Sequence, residues 1–532
     1  MEFTPELYAT FWSLIPPIIA ITMALLTKEV YSSLFVGIVT GALLYSNGNL
    51  ELAFNTITGN GSDAGIIPSL ADRSHAAILI FVVLLAWITA VINQSGAARA
   101  FGKWAESHIK NKTLASLATM ALGILIFIDD GFNCMTVGSV MKPVTDRHKV
   151  SREKLAYIID STAAPICIIA PISSWAAAVT YSVPEGSGIN GFTMFLQTIP
   201  FNFYAIGTLV FMFMMIIMKT DYGPMRRYEQ KANEGIKGKT DEKSAISVSA
   251  EDTLPAPIPD NGRVLDLVIP VFVLIITSIG FMLYTGGITE GASVVDAFSN
   301  CDSATAFVMS SIVTIIITLV YYLIRRIVPF KHFMGCLPMG FRTMTGPMTI
   351  LVLAWTLSSI TGLLGADVFI HDVIEASASE LQMLMPLIIF LFSVFLSFST
   401  GTSWGTFSIL IPIVVGAFAG NDNMLAVSIS ACLAGAVCGD HCSPISDTTI
   451  MSSAGAGCVH INHVATQLPY ALTVAGCAAV SYLVAGVLAF RAGGAVSYLS
   501  LPLMALILFA VIKVAARKSG AQKQVPFRNE NK

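Results

Sequence analysis

Charge is what this sequence has least of. Only 12% of its 532 residues are Asp, Glu, Lys or Arg, where a typical soluble domain carries about a quarter. With 55% of the chain hydrophobic, this excludes a large soluble enzyme with a rich core. Apolar stretches of roughly 20 residues recur along nearly the whole length, each enough to cross about 30 Å of hydrocarbon. No stretch gathers the basic face that nucleic acid requires, so no nucleic-acid partner is expected and lipid is. A disulfide framework is lacking too. The nine cysteines are an odd number, and Cys134, Cys167, Cys432 and Cys477 lie inside apolar runs, where free thiols are at home. The segment MEFTPELYATFW lacks the basic region of a signal peptide, so the first apolar run is expected to be retained.

What is present is a series of spans. Apolar runs fall near 12–27, 31–46, 76–95, 154–182, 193–218, 264–284, 304–324, 346–365, 425–455, 467–490 and 496–514. Two further runs, 113–142 and 383–420, are interrupted by polar residues at their middles, as a broken span or a re-entrant hairpin would be. Loop charge chooses between these, because cytoplasmic loops concentrate Lys and Arg. Lys103, Lys110 and Lys112 precede 113–142, and Lys142, Arg147, Lys149 and Arg152 follow it, so both its ends face inward. Asp367, Asp372, Glu375 and Glu380 precede 383–420, and Asn421-Asp422-Asn423 follows, so both its ends face outward. Segments 219–263 and 325–342 are basic and read as cytoplasmic, whereas 183–192 and 285–303 carry no Lys or Arg and read as external. Arg73 and Arg491 are the exceptions. The expected scheme is eleven spans and two opposed hairpins, with the N-terminus outside and the C-terminus inside.

A weak internal repeat agrees with this scheme. LLAWITAVI around Trp87 matches LVLAWTLSSI around Trp355, FIDDGFNCMTVGSVMKP at 127–143 matches FSTGTSWGTFSILIP at 398–412, and APISSW at 170–175 matches SPISDT at 443–448. The matches keep their order, with offsets of 268, 270–273 and 273 residues. Each copy holds five spans plus one hairpin, and an odd number of crossings turns the second copy upside down. The expected fold class is therefore an all-α polytopic membrane protein. Its two inverted-topology repeats contain discontinuous helices, and one extra C-terminal span follows. The boundaries are 1–218 for the first repeat, 219–263 for a cytoplasmic linker containing Pro255, Pro257 and Pro259, 264–490 for the second repeat, and 491–532 for the last span and tail.

Chemistry is expected where polar residues interrupt the spans, since an intramembrane acid costs about 2.5–3.5 kcal/mol on insertion scales. Asp129 and Asp130 sit at the turn of the first hairpin, followed by Gly131 and Asn133. Adjacent carboxylates with an amide and unwound carbonyls suit a hard cation, and the rival reading is a helix cap. Asp160 opens a span that Pro165 and Pro171 should break, and it reads equally as an ion ligand or as a partner for a cytoplasmic-end lysine. Ser173 and Ser174 offer hydroxyls after that break, with Trp175 as packing or as a platform. The second tip, 399–406, presents Thr400, Thr402 and Ser403 among other hydroxyls, each of which could instead bond its own helix backbone. The most concentrated segment is GDHCSPISDTT at 439–449, where Asp440, His441 and Asp447 could carry a proton or a cation, with Ser443, Ser446 and Thr448 beside them. A zinc site on Cys438, His441 and Cys442 has poor spacing and no second Cys/His pair. No nucleophile elbow or phosphate-binding loop accompanies these residues, so an enzyme is not expected.

The strings GDHCSPISDTTI at 439–450, FSTGTSWGTFSILIP at 398–412, IDDGFN at 128–133 and PISSWAA at 171–177 resemble the NhaC-type sodium/proton antiporters of the ion-transporter superfamily. The resemblance covers essentially the whole membrane region. It implies a bacterial inner-membrane protein that extrudes sodium in exchange for protons, with sodium and protons in place of any cofactor. Similar proteins exchange small organic acids, so the alternative is a sodium-coupled carrier of a small organic acid or amino acid. Asp129, Asp130 and Asp447 are the expected sodium ligands, and the arrangement is compatible with a homodimer.

Overall fold

The computed structural model describes the chain except residues 1–4, 6, 28, 62–63, 185, 235–260, 295–296, 298–299, 367, 370–371, 374–378, 419, 445 and 523–532. At Asp447 and some other helical positions only the backbone is described. The three linker prolines, Asp367 and Glu375 lie outside the described residues. Among those described there is no strand, so the all-helical expectation holds.

Helices occupy every apolar run named above, but they do not make eleven uniform spans. Six are long and apolar enough to cross a membrane: Arg73–Gln94, Leu265–Thr285, Ala304–Ile324, Leu381–Thr400, Asp422–Cys442 and His460–Ala492. Two bent pairs raise the count to eight. The shortfall has a physical cause, since several expected spans are broken or short. The run 154–182 divides into Arg152–Asp160, Ala164–Cys167 and Ser174–Thr180, with Pro165 and Pro171 supplying no backbone donor where the pieces separate. Gly191–Phe201 and Phe203–Met218 meet at 42°. The stretch 325–342, expected as a loop, is largely helical, because Phe330–Leu363 is continuous in hydrogen bonding although bent. Phe333, Cys336, Gly340 and Met344 make a buried stripe at helical spacing while Lys331 and Arg342 stay exposed, so the basic residues marked a helix face rather than a coil.

Each of the two interrupted runs is a helix, a break and a second helix. Lys112–Leu125 leads to Asp130–Arg147, and Ser379–Thr400 leads to Ser403–Ala417. Helices restart at Asp130 and Ser174 and again at Ser403 and Asp447, an offset of 273 residues in both cases (403 − 130 and 447 − 174). The breaks therefore follow the spacing of the sequence repeat.

The Asp422–Cys442 helix is the centre of the fold, buried within the protein from Met424 to its end. Its small residues allow that. A Cβ on Gly439 would stand 2.3 Å from the Val394 carbonyl oxygen, so only glycine permits this approach. Serines of the neighbouring helix donate into the contact, Ser393 Oγ to the Cys432 carbonyl and Ser397 Oγ to the Ala436 carbonyl, both at 2.6 Å. In a hydrocarbon setting such bonds satisfy hydroxyls that lipid cannot.

Ends that the charge pattern places inside also meet. Lys154 bonds Asp221 at 2.8 Å, Lys112 bonds Glu229 at 2.6 Å, and Tyr470 donates to Asp221 at 2.9 Å. Asp221 and the following helix Gly223–Asn233 thereby tie the foot of the first interrupted run to the His460–Ala492 helix.

Candidate functional site

Residues 126–129 form the break between the two helices of the first interrupted run. Asp129 and Asp130 are buried there, at 4% and 9% exposure. Each carboxylate faces the start of the Ser174–Thr180 helix. Ser174 Oγ donates to Asp129 Oδ2 at 3.2 Å, and Trp175 Nε1 donates to Asp130 Oδ2 at 3.1 Å. The Ser174 amide also donates to the Ile128 carbonyl at 3.0 Å. Asn133, one turn on, has its amide nitrogen within reach of three carbonyls: Gly123 at 2.7 Å, Ile126 at 2.9 Å and Thr162 at 2.9 Å. Three acceptors on one side fix the amide's orientation. Asn133 Oδ1 is buried and meets no partner among the described residues. An unmet buried carbonyl is costly unless something donates to it or a cation accepts it.

Trp175 is both packing and polar contact. Its indole stands 6.1 Å from Trp404 and 5.5 Å from Phe407, which follow the second break. The two breaks are therefore joined through one side chain. The hydroxyls of the second break are directed into the fold. Thr402 Oγ1 caps the Ser403–Ala417 helix by accepting from the Gly405 amide, Ser403 Oγ donates to the Ala436 carbonyl at 3.1 Å, and Thr400 Oγ1 donates to Leu396 of its own helix. Ser173 has the same employment, capping at Ala176 and donating to the Cys167 carbonyl at 2.7 Å. Ser446 caps at Thr449. Replacing Thr402 by Ala should accordingly cost about 1 kcal/mol of stability, the usual worth of a cap. A melting curve on the variant checks this, and a melting temperature equal to the wild type's would show that the cap contributes nothing.

The third cluster surrounds Asp160, which is fully buried. Thr449 Oγ1 reaches its Oδ2 at 3.2 Å, Ser452 Oγ its Oδ1 at 3.3 Å, Gln467 Nε2 its Oδ2 at 2.6 Å, and His463 Nε2 lies 3.3 Å from Oδ2. Gln467 Nε2 also donates to the His441 carbonyl at 2.9 Å. His441 Nδ1 faces the Tyr204 hydroxyl at 3.1 Å, and its Nε2 is buried with no partner among the described residues. Of the two readings left open for Asp160, the lysine is not its partner: Lys154 pairs with Asp221. Asp440 accepts from Thr448 Oγ1 at 2.7 Å, and Thr448 also meets Ser446 Oγ at 3.2 Å. Ser443 ends the Asp422–Cys442 helix as its C-cap. Asp447 opens the next helix, and its side chain lies outside the described residues. That helix crosses Asp130–Arg147 so closely that a Cβ on Gly138 would be 2.5 Å from the Gly455 backbone. The 439–450 segment thus stands beside both Asp160 and the first break. Among the described residues no three His, Cys, Asp or Glu side chains gather as a metal cluster.

This arrangement of buried acids at helix breaks can be set against known proteins. A model of the Na+/H+ antiporter family matches residues 175–487, which include the second break, the 439–450 segment and most of the His460–Ala492 helix. The chain belongs to the Na+/H+ antiporter family. Within relatives, an uncharacterized protein of Haemophilus influenzae (strain Rd) is 38% identical over 527 residues, covering 95% of this chain and 96% of its own. A second protein of that organism, described as an uncharacterized Na+/H+ antiporter, is 40% identical over 90 residues, 17% of this chain and 19% of its own. Two solved transporters are similar at low identity. MtrF of Neisseria gonorrhoeae, presented as one of a class of antimetabolite efflux pumps, has a TM-score of 0.44 and 12% identity over 83% of this chain and 85% of its own. YdaH of Alcanivorax borkumensis has a TM-score of 0.43 and 13% identity over 84% and 89%.

This antiporter-family chain brings to the site residues that the sequence analysis did not single out: His463, Gln467, Ser452 and Tyr204. His463 and Gln467 are four residues apart and share a helix face toward Asp160. Their signal was present. The apolar run begins at 467, whereas the helix begins at His460 and so includes His463.

Proposed function

We propose that the chain is a secondary active transporter of the inner membrane that extrudes sodium in exchange for protons. The observation that carries this reading is the first break, where Asp129 and Asp130 are both buried and Asn133, one turn on, holds a buried oxygen with no partner among the described residues. Sodium wants several oxygen ligands, and a carboxylate that releases sodium can take a proton instead. One site then serves both ions in alternation, and no separate coupling device is needed. Asp129 and Asp130 are the proposed carriers, with Asn133 as a neutral ligand and Asp447 as an acid from the second half. The Asp160, His441 and Asp440 group is the proposed proton-handling neighbour.

The repeat of break positions at an offset of 273 supports the inverted arrangement of 1–218 against 264–490. In that arrangement the site lies near the midplane, where the two interrupted runs meet at Trp175. The test is flux in everted membrane vesicles. With an imposed pH gradient, adding sodium should dissipate the gradient in a saturable way, and vesicles lacking the protein should not respond. A gradient indifferent to both sodium and lithium would sink the reading.

A further inference from the structure

A cavity of about 370 Å³ lies apart from the acids described above. Its walls come from five stretches: around Leu14, 68–75, 181–184, 354–366 and 408–413. By loop charge four of the five are outer ends of their helices, and 408–413 lies mid-way along Ser403–Ala417, the helix that leads outward from the second break. The cavity sits beyond the aromatic layer of Trp175, Trp404 and Phe407, because Ser408 is one turn past Trp404 on the same helix face and Tyr181 ends the helix that begins at Ser174.

The cavity is built rather than incidental. Trp355 is held on two sides: its indole N–H donates to the Tyr181 carbonyl at 2.6 Å, and His75 stacks on it at 3.8 Å between ring centres, 2° from parallel. His75 is itself fixed by Nδ1 against the Ser69 carbonyl at 3.0 Å and by its amide, which donates to Asp72 Oδ1 at 2.8 Å. Ser408 is 3% exposed, lines the cavity, and its hydroxyl meets no partner among the described residues. Thr361, also on the wall, has a hydroxyl in the same condition.

The volume is far larger than a bare cation needs and falls in the range of small-molecule sites, about 300–1,000 Å³. Charge then selects the solute. Asp72 is the one carboxylate among the described lining residues, and no Lys or Arg lines the wall. An organic acid would find no cation here, whereas an ammonium would find a carboxylate and hydroxyls. We infer that this outer cavity is a binding site for a small amine-bearing organic solute, with Asp72 receiving the ammonium, Ser408 and Thr361 hydrogen-bonding its polar body, and the Trp355–His75 stack its flat wall. The inference goes beyond sodium exchange and does not require it.

The experiment uses the full chain in lipid nanodiscs, with benzylamine, ethanolamine and putrescine as amine probes. Benzyl alcohol and benzoate serve as neutral and anionic isosteres. Calorimetry and tryptophan fluorescence should show saturable binding of at least one amine and none of benzoate. Asp72→Asn, which keeps a residue competent to cap the helix, should weaken amine binding at least tenfold, and Ser408→Val should weaken it severalfold. Asp129→Asn should leave it unchanged, while Asp72→Asn should leave sodium-dependent proton flux unchanged. Absence of saturable binding by all three amines, benzoate binding as tight as benzylamine, or undiminished binding in Asp72→Asn would each overturn the inference. Failure of sodium to dissipate a pH gradient would instead count only against the antiport reading.

Discussion

Replacing Asp129 or Asp130 by Asn is expected to reduce sodium-dependent proton flux to the background of empty vesicles while leaving the protein folded. Asn is nearly isosteric and still presents an oxygen to Ser174 or to the Trp175 indole, so the contacts of the break are retained. What disappears is the charge. A unit charge about 4 Å from a cation contributes about 4 kcal/mol at an effective dielectric of about 20. At 1.4 kcal/mol per decade that is on the order of a thousandfold in ion affinity. An amide also cannot take up the proton that replaces sodium, so both limbs of the exchange fail together. Trp175→Phe separates charge from positioning. It removes one N–H donor from Asp130 but keeps the aromatic contacts with Trp404 and Phe407, so the expected loss is only about tenfold, in line with one charge-assisted hydrogen bond. The measurement is initial flux against sodium concentration, with size-exclusion profiles to establish folding. Wild-type flux in both Asn variants would remove the first break from the transport mechanism.

How much of this could be read from the residues depends on what each one reports. Composition and run length were enough for an all-helical membrane protein, because hydrocarbon solvent leaves helices as the natural form for apolar runs of this length. The breaks were legible too, since Asp-Asp-Gly, paired prolines and hydroxyl clusters interrupt apolar runs visibly. The number of complete spans was not legible. An apolar window of 154–182 looks the same whether it forms one helix or three pieces. Amphipathic helices, such as the first part of Phe330–Leu363, were hidden by the Lys and Arg on their exposed face. Pairing across the fold was the least accessible layer. Asp160 and His463 are 303 residues apart in the chain yet 3.3 Å apart in space, and no local pattern reports such a distance. Hydroxyls were ambiguous in the residues alone. Thr402, Ser403 and Ser173 read either as ligands or as groups bonded to backbone, and in the fold each makes a backbone contact.

Asp160→Ala is expected to be the most damaging single change to stability among the polar residues, and Asp160→Asn nearly as harmful. Four side chains converge on this one carboxylate, from two helices that are remote in sequence: Thr449 and Ser452 on one, His463 and Gln467 on the other. All of them are fully or almost fully buried. Removing the acceptor leaves the donors with no water to turn to, and breaking a buried charged contact by deleting one partner costs about 3–5 kcal/mol. Asn restores an oxygen but also brings an NH2 that must face some of the same donors, so relief is partial. The loss also frees Gln467, which links Asp160 to the His441 carbonyl, and so loosens the 439–450 segment beside the first break. Two readouts separate a scaffold from a proton carrier. If Asp160 only holds the fold, a triple variant with His463→Leu and Gln467→Leu beside Asp160→Ala should recover much of the melting temperature and the flux with it. If Asp160 also handles protons, that variant should recover stability without flux, and this second outcome is the one the two imidazoles around it favour. A single Asp160→Ala variant that melts like the wild type and transports normally would refute both roles.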